Sequence, residues 1–166
     1  EWMNGRYLSM MTAEEILELV REDFEEAGLL KQGGPAETGH LLRVLDTVKD
    51  RCRLTGDFLH RSRYFFPGIV FQFPGAVAEH WKENSGKLLI SLAEELEKVG
   101  HWSEEPLEAL LRSLAKKLQI SASKLIHPLR VAITGTSVSP GIFVTMALMG
   151  KELTLSRIHR AVERLG

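Results

Sequence analysis

The chain has 166 residues, 44% of them hydrophobic and 26% charged, with a formal net charge of −1. That length and composition suit one medium globular domain or two small ones, and the near-neutral balance excludes a diffuse basic field as the means of holding nucleic acid. The single cysteine, Cys52, excludes an internal disulfide and fits a reducing compartment, while no apolar run approaches the ~20 residues of a membrane span and no signal-peptide pattern opens the chain.

The opening "EWMNGRYL" lacks an initial methionine and shows Trp2 and Tyr7 with nothing upstream to bury them, so it reads as a piece of a longer protein. Thr12-Ala-Glu-Glu15 is a capping box, and Ile16, Leu19, Val20 and Phe24 follow on one helical face that Gly28 closes. Seven acids lie between Glu14 and Glu26, the pattern of a solvated face. "QGGPAETG" (32–39) reads as a linker, after which Leu41, Leu42, Leu45 and Val48 form a second stripe. Thr55 is placed to cap a third helix that holds Phe58, Leu59 and the basic run "HRSRYFF". "PGIVFQFPG" (67–75), bracketed by proline and glycine, is the expected boundary between residues 1–70 and 71–166.

Helical signals then resume. Leu88, Leu89, Leu92, Leu96 and Val99 recur at three- and four-residue spacing up to Gly100, and Ser103 caps the next stripe, Leu107, Leu110, Leu111 and Leu114. Ser121 or Ser123 can start another helix. Ser139-Pro140 carries the signal of a serine N-cap followed by proline at the first helical position, and Gly150 ends that helix. Thr154 is expected to cap the last, through Leu155, Ile158, Val162 and Leu165. No strand alternation appears. The sequence predicts an all-α fold of about eight helices in two subdomains.

The stretch "HPLRVAITGTSVSPGIF" (127–143) admits a different reading, a strand entering a phosphate loop. That loop needs G-x-x-x-x-G-K-[ST], whereas Gly135 and Gly141 are separated by five residues and Ile142 stands in the lysine position. A buried helix from Lys124 to Thr134 fits better, followed by a loop, Gly135–Ser139, that delivers a helix start with free backbone N–H groups.

On those residues the chain resembles glutamyl-tRNA synthetases. "PLRVAITG", the small-residue–Pro–Gly turn and the terminal "LMGKELTLSRI" are similar to that family's C-terminal signature, and "EWMNGRYL" to the segment after its catalytic K-M-S-K-S loop. The resemblance spans nearly the whole chain and implies an all-helical bundle or cage of the class I anticodon-binding type. Residues 1–70 would be a stem-contacting and anticodon-binding part, and 71–166 the C-terminal anticodon-binding part. The family's H-I-G-H and K-M-S-K-S motifs do not occur here, so the resemblance implies no cofactor for this piece. ATP and Mg²⁺ would serve the intact enzyme's missing N-terminal catalytic domain. The implied partner is the anticodon loop of glutamate tRNA, in the cytoplasm and away from membranes.

The same resemblance assigns roles to individual residues. Arg130 matches an anticodon-contacting arginine, and a planar cationic fork suits a base edge or a phosphate. Ser139, Pro140, Gly141 and Ile142 match the turn against the anticodon bases, with Ile142 offering an apolar surface to a splayed base. Arg51 matches the position facing the last anticodon base, where arginine marks enzymes that reject glutamine tRNA. Arg112 is a lesser candidate. Tyr64, Phe65 and Phe66 read as core rather than as base-stacking aromatics, Cys52 as a buried thiol, and the six histidines show no metal-ligand spacing. One rival of another class stays open: an α-helical protein-interaction module whose loop receives an acidic motif.

Overall fold

The capping box at Thr12 forms as the sequence reads: Thr12 Oγ1 accepts from the Glu15 amide at 3.2 Å, and Glu15 Oε2 accepts from the Thr12 amide at 2.8 Å. Four orphan amides begin every helix, and this reciprocal pair satisfies two of them. A computed structural model describes residues 2–30, 34–68 and 74–165. Among these are ten α-helices and two 3₁₀ turns, with no strand. The two helices beyond the expected eight, α1 (Trp2–Met10) and α5 (Pro74–His80), are short and carry no serine or threonine cap to announce them. The chain divides into two compact units, Glu1–Ile69 and Val70–Gly166.

In the first unit α1 leads into α2 (Ala13–Glu26), α3 (Pro35–Val48), a 3₁₀ turn at Lys49–Arg51, α4 (Thr55–Ser62) and a second 3₁₀ turn at Arg63–Phe65. The buried face of α2 is Ile16, Leu17, Val20 and Phe24, whereas Leu19 is 53% exposed. Leu17 takes the place expected of Leu19, because a 3.6-residue period brings 17 rather than 19 beside 20 and 24. Residues 35–39 are not linker. Pro35 starts α3 with Gly34 as N-cap, where a proline sacrifices no hydrogen bond; of the remaining stretch, 32 and 33 lie outside the described residues, as do 69–73 of the expected boundary. Nor does Thr55 cap α4. The Asp57 carboxylate does so, accepting from the amides of Arg53 at 2.7 Å and Leu54 at 3.0 Å. Phe58, Tyr64, Phe65 and Phe66 are all buried, and Phe66 meets the edge of Phe24 at 6.1 Å between ring centroids. The three consecutive aromatics are core.

The second unit contains α5, α6 (Ser85–Leu96), α7 (Glu104–Lys117), α8 (Ser123–Thr134), α9 (Ile142–Met149) and α10 (Lys151–Leu165). α10 packs on α6, α8 and α9, while α6 also touches α7 and α8. Leu89, Leu92, Leu96, Leu107, Leu125, Leu129 and Ile158 are fully buried at this centre. Val131 and Ile133 are fully buried too, so tertiary packing holds these β-branched residues in a helix despite their modest propensity. Thr154 lies inside α10, not at its cap, and its Oγ1 donates to the Gly150 carbonyl at 2.7 Å. Gly150 itself, at φ 84°, joins α9 to α10. No described helix is long and apolar enough to cross a membrane.

Candidate nucleic-acid interface

α8 ends where Gly135 enters the left-handed region, φ 72° and ψ 6°, a conformation that glycine adopts without penalty. The Gly135 amide closes the helix by donating to the Val131 carbonyl at 2.9 Å. Side chains then set the loop that follows. Thr134 Oγ1 donates to the Arg130 carbonyl at 2.7 Å and accepts from the Thr136 amide at 3.3 Å. Thr136 Oγ1 donates to the Val138 carbonyl at 2.6 Å and accepts from the Val138 amide at 3.2 Å.

Arg130 reaches across this loop. Its Nη1 donates to Ser139 Oγ, to the Ser139 carbonyl at 3.3 Å and to the Pro140 carbonyl at 2.9 Å. The structure therefore gathers Arg130, Ser139, Pro140 and Gly141 at one place, with the arginine acting as a brace. This bonding displaces the expected helix start. Ser139 Oγ donates to the Pro140 carbonyl at 2.9 Å and so is engaged away from any cap, and Gly141 is the N-cap of α9. Ile142, the first residue of α9, is buried at 4%, so its side chain serves the core and offers no surface to a base. The exposed apolar group of the loop is Val138, at 67%. A turn earlier on α8, His127 stacks on His80 with ring centroids 4.8 Å apart.

Arg51 belongs to the first unit and closes the 3₁₀ turn at Lys49–Arg51. Its side chain is exposed while both flanks are pinned: Val48 and Cys52 are buried, and the Cys52 amide donates to the Lys49 carbonyl at 3.0 Å. Asn4, from the opening segment, donates to the Arg53 carbonyl at 2.6 Å. Two stretches distant in sequence thus meet beside the turn, which presents an exposed cation. Burial pushes the Cys52 thiol up to about 12, which keeps it protonated and unreactive beside Arg51. Arg112 stands on the outer face of α7 and bonds Glu108 on its own helix at 2.7 Å; nothing described joins it to the loop. No cluster of three metal-ligating side chains occurs among the described residues.

A family model described as the anticodon binding domain matches residues 11–162. The chain belongs to that family. Among relatives, glutamate–tRNA ligase 2 of Koribacter versatilis is 32% identical over 164 residues, covering 98% of this chain and 34% of that protein. The glutamate–tRNA ligase of Thermus thermophilus is 33% identical over 163 residues, covering 97% and 33%. The crystal structure of a glutamate tRNA ligase from Elizabethkingia meningosepticum, in complex with its amino acid, superposes with a TM-score of 0.86 at 24% identity, over 99% of this chain and 32% of that one. At that identity the likeness establishes the fold. The chain spans about a third of the length of these relatives.

Within this anticodon-binding domain, several residues support the site without being legible as site residues. Asn4, Thr134 and Thr136 act through the backbone, and threonines in a loop carry no sequence signal that separates bracing from exposure. Lys151 of "GKE" donates to the carbonyls of Glu97 at 2.6 Å and Val99 at 3.0 Å, closing the C-terminal end of α6 where a cation is favoured. Its signal was the motif itself.

Proposed function

We propose that this chain reads the anticodon loop of glutamate tRNA as the recognition part of a glutamate–tRNA ligase. The observation that supports this most directly is the braced loop 135–141. Its shape is fixed by Arg130 and two threonines before any ligand arrives, which reduces the ordering cost of binding an unstacked base. Arg130 itself sits half-buried against the loop it braces, so a nearby phosphate or base acceptor would meet a desolvated cation, and such contacts are stronger than those made in open water. Arg51 supplies a second cation, exposed on a rigid turn, for the last anticodon base. In this reading Val138, rather than Ile142, is the apolar surface that a base meets.

The whole enzyme's chemistry lies outside this chain. It would activate glutamate with ATP and Mg²⁺ in a catalytic part, in the cytoplasm, and esterify the tRNA; no residue described here is assigned to those groups. The test is a titration of the chain, at two salt concentrations, with an anticodon stem-loop of glutamate tRNA and with its cytidine-to-guanosine variant at the last anticodon base. Binding should weaken steeply with salt, because arginine–phosphate contacts release counterions. The cytidine form should bind more tightly by ~1–3 kcal/mol, and Arg51→Gln should erase that preference. Equal binding of both forms would remove the Arg51 role and leave the loop's role intact. Absence of binding to either would favour a protein-interaction module, a reading that the net charge of −1 also accommodates.

A further inference from the structure

Arg157, on α10, is the only charged side chain among the described residues that is buried, at 5% exposure. Burial lowers its guanidinium to about 10, still far enough above neutrality to leave it a cation. Its Nη1 donates to the Ile133 carbonyl at 2.7 Å and lies 3.9 Å from Met149 Sδ. Ile133 is the penultimate residue of α8, and its carbonyl is among the four at a helix end that have no intrahelical donor. Met149 is the last residue of α9. Loop 135–141 is strung between these two helices. One guanidinium therefore touches the end of α8 that leads into the loop and the last residue of the helix that follows it.

Packing alone gives no reason for a charge here. Its bonding partner Ile133 and its chain neighbours Ile158 and Ala161 are fully buried, and an apolar side chain of the same length would fill such a space without the desolvation cost of an ion. What an apolar side chain could not do is satisfy the Ile133 carbonyl. Without a donor that carbonyl would seek a backbone amide from the residues that follow, and those amides are in use: Gly135 closes on Val131, and Thr136 is held by Thr134 Oγ1. The cation also faces the negative end of the α8 dipole, which favours its charged form.

We propose that Arg157 is a positioning residue for RNA recognition. By taking the Ile133 carbonyl it spares the loop's own amides from folding back onto α8. That keeps Ser139 and the Pro140 carbonyl where Arg130 closes on them. The inference rests on the anticodon reading above, and one experiment separates the failure of each. Arg157→Met, Arg157→Lys and a control core substitution in the same unit, Leu89→Ala, are compared by thermal unfolding, by amide NMR shifts and by stem-loop affinity. Arg157→Met should weaken the stem-loop about tenfold, the effect of one lost interaction of ordinary strength, and should move the amide signals of residues 135–141. Arg157→Lys, which retains a donor, should restore most of the affinity. Leu89→Ala should lower the unfolding temperature with no shift in those amides. Overturning results are an Arg157→Met chain with unchanged loop amides, or a Leu89→Ala chain that loses affinity equally. If the unaltered chain fails to bind the stem-loop, the anticodon reading falls, while the amide shifts still decide whether Arg157 sets the loop. If Arg157→Met does not fold, the Arg157→Lys amides carry the test: near-native loop shifts support positioning by a donor, and displaced ones overturn it.

Discussion

The two units bury their apolar side chains with different completeness. In the first, Tyr7, Met10, Leu19 and Leu54 are 51–77% exposed, spread over α1, α2 and the approach to α4. In the second, Ile90 and Leu118 are near one-third exposed, and Val138 reaches 67%. Scattered exposed apolar residues are ordinary, but a single one on the tip of a braced loop is set apart by its surroundings. In the second unit the most exposed large apolar side chain described lies where we put the ligand. The first offers a broader, less selective surface and keeps its specific feature, Arg51, on a polar turn.

That contrast can be broken in several ways. The largest effect should come from Phe58→Ala in the first unit, whose fully buried ring leaves a cavity worth ~3–5 kcal/mol. Urea unfolding followed by amide signals would show whether the second unit, Val70–Gly166, survives the loss of the first; simultaneous loss would make the two one cooperative block. Asp57→Ala should cost less, ~0.5–2 kcal/mol, because it removes an N-terminal cap. The backbone amides of Arg53 and Leu54 hold the Asp57 carboxyl below the ordinary range. Its contribution is therefore complete above the unfolded value of ~3.9 and fades as pH falls through the lower folded value. A series of urea midpoints from neutral to acid pH should show the wild type converging on Asp57→Ala.

Smaller effects test the surfaces themselves. Val138→Ser should leave stability unchanged and weaken stem-loop binding by ~1 kcal/mol, the scale of one partly buried aliphatic contact. A stem-loop titration that shows no change would remove Val138 from the interface. Met10→Ser should shift the urea midpoint by no more than the ~0.5 kcal/mol usual for exposed sites. A larger loss would mean that α1 is covered in solution, and the contrast between the units would shrink.

The helices were legible where a periodic stripe followed a serine or threonine in the N-cap position, as at Thr12, whose side chain caps, and at Ser103 before Leu107–Leu114, whose side chain makes no cap hydrogen bond. They were misread where caps came from elsewhere. Asp57 reaches back three and four residues to do what Thr55 was expected to do, and the Ser139 hydroxyl is diverted by Arg130, which lies nine residues earlier. Propensity rules weigh a residue against its neighbours, and neither case is decided by neighbours. Of the candidate site, the arginine and the turn that the structure brings together were legible as separate signals. Ile142 shows the limit: a hydrophobic residue beside a polar loop can face either way, and only the packing of α9 reveals that it points inward. Arg157 shows the opposite limit, since a charged residue on an amphipathic helix reads as surface until the fold closes over it.

Gly150 joins α9 to α10 at φ 84° and ψ 162°, and an added β-carbon there would find nothing within 4 Å. Crowding does not reserve the position for glycine; handedness does, since that backbone region is nearly closed to L residues. The mirror-image amino acid meets the opposite rule. D-alanine at 150 would occupy backbone close to its own extended region and would narrow the unfolded ensemble in the manner that gains ~0.4–1 kcal/mol at compatible sites. The joint between the last two helices thus selects the chirality of its occupant by backbone conformation rather than by crowding.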